Sequence, residues 1–324
     1  MLTDLLNNKL LLGLIVVVGV PVVICGYILL VEAILKRLRP ATGIRIRPWL
    51  WILPAIAFVT IFLVYPAIAT VWRSLFDRRG DNFVGLDNYG WFFGSSDNLV
   101  AIRNNILWAI LLPLLVVGIG LLVAVFAEKV RYEVAVRSII FLPMAISAVA
   151  AGVIWRLMYD IDPRVGTLNA VVTATGGDPV AFLSTEPWNN VYLIIVGMWM
   201  MTGLAVVVLV SGLKGVPLEL LEAARLDGAN EWRVFWSVIY PLLRPTIAVV
   251  TTTVLIFALK TFDVVFVMTN GNFGTEVMAN KMYKELFSFT QEGRAATVAT
   301  VLFLATVPLM VLQVRRFRQQ EEQR

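Results

Sequence analysis

Blocks of about twenty apolar residues run the length of the chain, and the short polar stretches between them hold almost every charge. Seven blocks, at 10–31, 49–72, 105–127, 138–158, 189–212, 246–269 and 294–314, predict helices that can cross a bilayer. A block of 22 residues such as 10–31 rises about 1.5 Å per residue and reaches about 33 Å, against a hydrocarbon core of about 30 Å. Trp49, Trp51, Trp72, Trp108, Trp155, Trp188 and Trp199 mostly fall near block ends, where an amphipathic ring suits the headgroup layer. The first block is longer than the apolar region of a secretory signal, and its basic cluster Lys36, Arg37, Arg39 follows it, so it is read as a retained anchor helix. The pattern predicts an all-α fold, a polytopic membrane helix bundle of about seven transmembrane helices.

Composition agrees with that solvent. Of the 324 residues, 59% are hydrophobic and 15% charged, with a mean hydropathy of +0.81; soluble domains run near 45–50% and about 25%. Disorder and a disulfide-framed secreted module are excluded. There is no His, and the single Cys25 lies inside an apolar run. His-ligated metal sites, thiol–His catalysis and an intrachain disulfide are therefore excluded, and no metal site is expected.

Charge orients the bundle. Of the 27 Lys and Arg residues, 16 fall in segments 36–47, 128–137, 213–245 and the tail from 315, and 10 fall in the N-terminus, 73–103, 156–188 and 270–294. The positive-inside rule puts the first set in the cytoplasm, with the N-terminus outside and the C-terminus inside. The outer segments 73–103 and 159–188 are long enough for short surface helices and rich in Gly, Asn, Asp and Pro. They read as partner-docking loops or as solvated connectors. No short internal repeat stands out.

The segment 213–245 is too long for a plain turn. Pro217 fits the first position of a helix, Glu219 and Glu222 favour its positive end, and Gly228 can supply the left-handed residue that stops it. Asn230 can cap a second helix, in which Trp232, Phe235, Trp236 and Ile239 form an apolar stripe expected against membrane or bundle. Pro241 and Pro245 are expected to end that helix.

Glu222-Ala223-Ala224, with Asp227-Gly228-Ala229 and then nine residues (229–237) before Val238-Ile239-Tyr240-Pro241, resembles the EAA loop of membrane subunits of binding-protein-dependent ATP-binding-cassette importers. Val and Tyr stand where that family has Ile and Leu. Phe83-Val-Gly-Leu-Asp-Asn-Tyr89 resembles the family's outer motif, and Thr261-Phe262-Asp263 with Met268-Thr269-Asn270-Gly271 resembles the end of its penultimate span. The resemblance covers about 49–318 and is strongest to the maltose-type sugar permeases. Asn-Gly-Asn-Phe-Gly-Thr at 270–275 is most like the alpha-glucoside branch, whose relatives also carry sucrose, trehalose or glucosylglycerol.

The resemblance implies a type I importer permease fold in a bacterial cytoplasmic (inner) membrane. It divides the chain into an anchor and basic linker at 1–48, a transmembrane domain at 49–318 with the EAA loop at about 213–245, and a tail at 319–324. The first loop helix, about 217–229, would be a coupling helix that docks on the ATPase, with Glu222, Ala223, Ala224, Asp227 and Gly228 at the contact. Partners implied are a second, different permease subunit, two ATPase subunits carrying ATP and Mg, an extracytoplasmic sugar-binding protein, the sugar and membrane lipid, with no nucleic acid. This chain would bind no cofactor. No Gly-x-x-x-x-Gly-Lys-Ser/Thr occurs, so the chain is not the hydrolytic subunit and is not itself an enzyme.

Ionisable groups inside a membrane point to function. Lys260 and Asp263 lie three apart in the sixth block, so they are expected to pair on one helix face, as a structural or gating ion pair or as a substrate contact. Alignment on the maltose-permease pattern points Met201 and Leu204 of the fifth block, and Phe257, Ala258 and Thr261 of the sixth, toward the pathway; helix packing is the other reading of each. The Thr251–Thr253 run is expected to bond back to its own helix. Two other classes compete with a permease subunit. An ion-coupled secondary transporter would use Lys260 and Asp263 but leaves the 213–245 hairpin without a role. A membrane-embedded transferase or hydrolase lacks a converging set of reactive groups.

Overall fold

The computed structural model describes residues 9–38, 40–127 and 132–321. The described residues are overwhelmingly helical and fall into two compact units, Met1–Ala69 and Thr70–Arg324.

The first unit holds helix α1 (Lys9–Arg37) and helix α2 (Pro40–Val59), which passes through a π-helical turn, Thr60–Val64, into α3 (Tyr65–Arg73). The Tyr27 hydroxyl donates to the Leu50 carbonyl, and Arg47 pairs with Glu32 at 2.8 Å. Almost none of the apolar surface of these helices is buried, as expected of helices whose solvent is lipid.

In the second unit, which begins at Thr70 within α3, a short turn leads to α4 (Asp87–Gly94), followed by α5 (Ser96–Ala127). Then come α6 (Glu133–Phe141), a 3-10 turn at Leu142–Ala145, α7 (Ala148–Met158) and the short helix α8 (Thr167–Ala174). Helix α9 (Trp188–Lys214) is the centre of the bundle: 61% of its most apolar window is buried, against 28% for α5. Trp108, Leu112 and Val116 of α5 pack there with Leu193, Ile194, Leu209 and Val210 of α9, and with Leu243, Val250 and Val254 further along the chain. Small residues let the backbones approach. A Cβ on Gly197 would lie 2.9 Å from the Trp108 ring, and one on Gly203 would lie 2.5 Å from the Ile140 carbonyl oxygen.

Among the described residues five helices are long and apolar enough to cross a membrane, and six if the bent pair α6/α7 is one span; seven were expected. The last expected block, 294–314, lies on α14 (Glu292–Glu321), a helix of 30 residues. Two blocks depart from the straight spans the pattern predicts. The fourth, 138–158, is bent by 105° between Ala145 and Ala148. Pro143 sits in the 3-10 turn, Ile146 is extended, and the Ser147 hydroxyl caps α7 by accepting the Ala150 N–H at 3.2 Å. The sixth, 246–269, is also not continuous. Its span runs from Glu231 to Leu259, as α11 (Glu231–Val234), a π-helical turn at Phe235–Ile239 and α12 (Tyr240–Leu259). The chain then leaves the helix at Lys260 and restarts as α13 (Asp263–Met268).

Pro241 and Pro245 do not end the second loop helix, contrary to expectation; α11 continues through both into the span. The widened turn ahead of Pro241 explains why. The Tyr240 N–H reaches back five residues to Phe235 O, which relieves the crowding a proline ring causes one turn earlier. The same arrangement precedes Pro66, where the Tyr65 N–H bonds Thr60 O.

Candidate functional site

Segment 213–245 folds from its local signals. Pro217, expected at the first helical position, stands one residue ahead of α10 (Leu218–Leu226) with no side-chain cap bond, and Gly228 takes φ +81. Gly228 N–H bonds Arg225 O and Ala229 N–H bonds Ala224 O, each at 3.0 Å, the paired bonds of a Schellman stop. Asn230 then caps α11, its side chain accepting the Arg233 N–H at 2.9 Å. Across the bend the Arg225 guanidinium grips Glu231 at 2.9 and 3.3 Å, and this carboxylate holds the Arg225 proton more tightly than usual.

Helix α10 has no buried residue. Leu226 is 87% exposed, Leu218 and Leu220 also face outward, and Glu222, Ala223, Asp227 and Gly228 lie on the same open element, with Ala224 half-buried. A nine-residue helix with no buried face has little packing of its own to hold it. The expected stripe divides: Ile239 packs against the core, whereas Trp232 and Trp236 are exposed.

Of the expected pathway residues, Phe257, Ala258 and Thr261 lie at or just past the end of α12, and Met201 and Leu204 lie on α9. Met201 and Phe257 are half-buried, Ala258 is fully buried, and all three belong to the same apolar core. Leu204 is half-buried outside that cluster, and Thr261 is buried just beyond the helix end. Thr251, Thr252 and Thr253 bond back to Ile247 O, Ala248 O and Val249 O at 2.7–2.9 Å, as expected.

Lys260 and Asp263 form no ion pair, contrary to expectation. They stand on either side of the helix break, Lys260 exposed and Asp263 half-buried at the start of α13. Three-residue spacing brings side chains together only on a continuous helix.

Asparagines hold this break, and the sequence reading missed them. Buried Asn105 of α5 donates to Leu259 O at 2.9 Å and accepts the Met278 N–H at 2.8 Å. Its neighbour Asn104 donates to Gly274 O and Glu276 O, both at 2.8 Å. From α9, Asn189 donates to Phe273 O at 2.6 Å and Asn190 to Gly274 O at 3.3 Å. The loop they hold carries left-handed backbone at Asn270, Gly271, Phe273 and Gly274. Its Glu276 accepts from Asn280 at 2.6 Å and from Lys284 at 2.7 Å. Two adjacent Asn residues inside an apolar helix were the available signal, since a buried amide requires partners. The outer motif is equally ordered: buried Asn88 donates to Ser74 O and Phe76 O at 2.9 and 2.7 Å.

The model of the family described as binding-protein-dependent transport system inner membrane component matches residues 116–318. The osmoprotective compounds uptake permease protein GgtC of Synechocystis sp. is 47% identical over 279 residues, 85% of this chain and 100% of that protein. The alpha-glucoside transport system permease protein AglF of Rhizobium meliloti is 41% identical over 285 residues, 86% of this chain and 84% of that protein. A chain of a bacterial ABC transporter involved in the import of the acidic polysaccharide alginate shares the fold, with a TM-score of 0.73 at 23% identity over 88% of this chain and 99% of that one.

Proposed function

Because this chain belongs to the family of binding-protein-dependent transport system inner membrane components, we propose that it is one permease subunit of an ATP-driven sugar importer, with alpha-glucosides or related di- and oligosaccharides as substrate. The permease reading rests on the family, and the substrate class on the similarity to AglF. The observation that carries the coupling mechanism is α10, an exposed helix with no core of its own, fixed to the start of a span by a left-handed glycine, a cap and an ion pair.

In this reading Glu222, Ala223, Ala224, Asp227 and Gly228 seat α10 on a separate ATPase subunit, which supplies the ATP and Mg chemistry. The helix from Glu231 to Leu259 has 29 residues and is about 43 Å long. When the ATPases close, displacement of α10 passes along it as a lever to the break at Lys260–Phe262, beside Phe257, Ala258 and Thr261. Met201 and Leu204 of α9 complete this half of the pathway, and a second permease subunit supplies the other. The segments around α4 and α8 face the extracytoplasmic side and receive a sugar-binding protein. The N-terminus is outside and the C-terminus cytoplasmic. A secondary transporter using Lys260 and Asp263 is disfavoured by the family and by the helix break that separates the two groups.

The test is copurification of the tagged chain from membranes in mild detergent, followed by vanadate-sensitive ATPase assay with alpha-glucosides and their binding protein. Recovery of a second permease and an ATPase, with sugar-stimulated turnover, is expected. A lone chain that transports after reconstitution and stops with an uncoupler would overturn the proposal.

A further inference from the structure

The helix that begins at Glu231 is longer than a bilayer core requires. Its 29 residues reach about 43 Å against a core of about 30 Å, leaving about 13 Å, roughly nine residues, in the headgroup layer. The surplus lies at the Glu231 end, where Glu231 and Arg233 are exposed, because beyond Leu259 the chain stays largely apolar through α13, with Val264, Val265 and Met268 buried. Residues 231–239 are therefore interfacial.

One face of that stretch carries an unbroken ladder at four-residue spacing. The Trp232 and Trp236 rings are 5.7 Å apart, those of Trp236 and Tyr240 5.0 Å apart, and the Arg244 guanidinium lies 5.5 Å from the Tyr240 ring centre. Trp232 is 72% and Trp236 46% exposed, so the ladder faces out of the subunit. Arg244 starts a few ångströms, about 6, below the headgroup level by the same rise per residue. Its side chain runs back over Tyr240, the way a long cationic chain near a membrane border reaches water. Arg233 is exposed at the outer end of the ladder. Neither arginine has a carboxylate in ion-pair range among the described residues, and nearby Glu231 is held by Arg225.

We propose that Trp232, Trp236, Tyr240 and Arg244, with Arg233, bind the headgroup of an anionic phospholipid. The rings lie at the depth where Trp and Tyr are favoured, and the exposed Arg233 and Arg244 side chains present positive charge to the layer of lipid phosphates. The lipid packs along the first turns of the lever, so it stiffens the part that α10 drives. The inference rests on the coupling reading only for the leaflet, which is the cytoplasmic one, and for this consequence. A soluble protein partner is disfavoured because the ladder continues past the headgroup level to Arg244, beyond the reach of such a surface.

The test compares wild type with Arg233→Gln, Arg244→Gln and the double variant, each purified with its native partners. Phosphatidylglycerol retained after exchange into detergent is measured by native mass spectrometry, and ATPase turnover is measured in vesicles of phosphatidylcholine with and without phosphatidylglycerol. Each arginine lost should weaken phosphatidylglycerol binding about five-fold, and both together about twenty-five-fold. Turnover of the double variant should no longer respond to phosphatidylglycerol, while recovery of the ATPase stays unchanged. Arg244→Lys, which keeps the charge, should retain binding and thereby separate lipid loss from misfolding. Equal retention and equal response in wild type and double variant would overturn the proposal. So would loss of the ATPase with lipid retention intact, which would assign the ladder to protein docking. If no ATPase copurifies even with wild type, the coupling reading fails, and lipid retention by the chain alone still decides this one.

Discussion

Gly228 separates a bend from a docking surface. Its φ of +81 lies in the left-handed region, yet a Cβ built there meets no atom within 4 Å. Within the subunit, a side chain therefore costs only backbone strain, about 1–2 kcal/mol for Ala and less for Asn, which tolerates this conformation. Opposing that strain are the Asn230 cap, worth about 1 kcal/mol, the two bonds that close α10 and, weakly because it is exposed, the Arg225–Glu231 pair. If Gly228 only makes the bend, Gly228→Asn should behave nearly as wild type and Gly228→Ala should be mildly impaired. If α10 seats closely on an ATPase, the side chain meets the partner, and Ala, Asn and Asp should all uncouple, the larger two most. We expect the second pattern: normal amounts of protein in the membrane, reduced ATPase recovery with the tagged chain, and uptake of labelled alpha-glucoside lowered tenfold or more for Gly228→Asp, equivalent to about 1.4 kcal/mol or more. Normal uptake and normal ATPase recovery by Gly228→Asn or Gly228→Asp would refute the close approach.

Gly203→Ala should destabilise the bundle by about 1–3 kcal/mol, because its Cβ meets the backbone at Ile140 O and Phe141 Cα, at 2.5 and 2.8 Å; an unchanged melting temperature of the purified complex would count against that crossing. Asn105→Ala leaves the Leu259 carbonyl and the Met278 N–H without their partner, at about 1–3 kcal/mol for each group. Its thermal unfolding should fall and protease cleavage near residues 260–278 should rise, and wild-type behaviour in both would deny Asn105 its stapling role. Thr261→Val keeps the shape and removes the hydroxyl, so uptake should weaken while assembly is unaltered; unchanged affinity and rate would remove Thr261 from the pathway.

Membrane solvent, helical class and the helix–turn–helix shape of segment 213–245 were legible in the sequence because each depends on neighbours along the chain. Apolar blocks set where helices form, while Gly228 and Asn230 set a turn and a cap within a few residues of themselves. The interruptions of the fourth and sixth blocks were not legible, although Pro143 and Ser147 stood in the first of them. A helix inside a bilayer can break only where other groups satisfy the freed carbonyls and N–H groups; at the fourth block Ser147 does so locally, and at the sixth the partners come from far along the chain. Asn105, 154 residues before Leu259, supplies its partner, and Asn104, 170 residues before Gly274, holds the left-handed loop that follows. The same break parted Lys260 from Asp263, a pair that periodicity alone had joined. The prolines at 241 and 245 misled in the opposite direction, since a single widened turn at Phe235–Ile239 carries the helix through them. Local chemistry thus determined the elements, and long-range hydrogen bonding decided where a continuous apolar block had to stop being a helix.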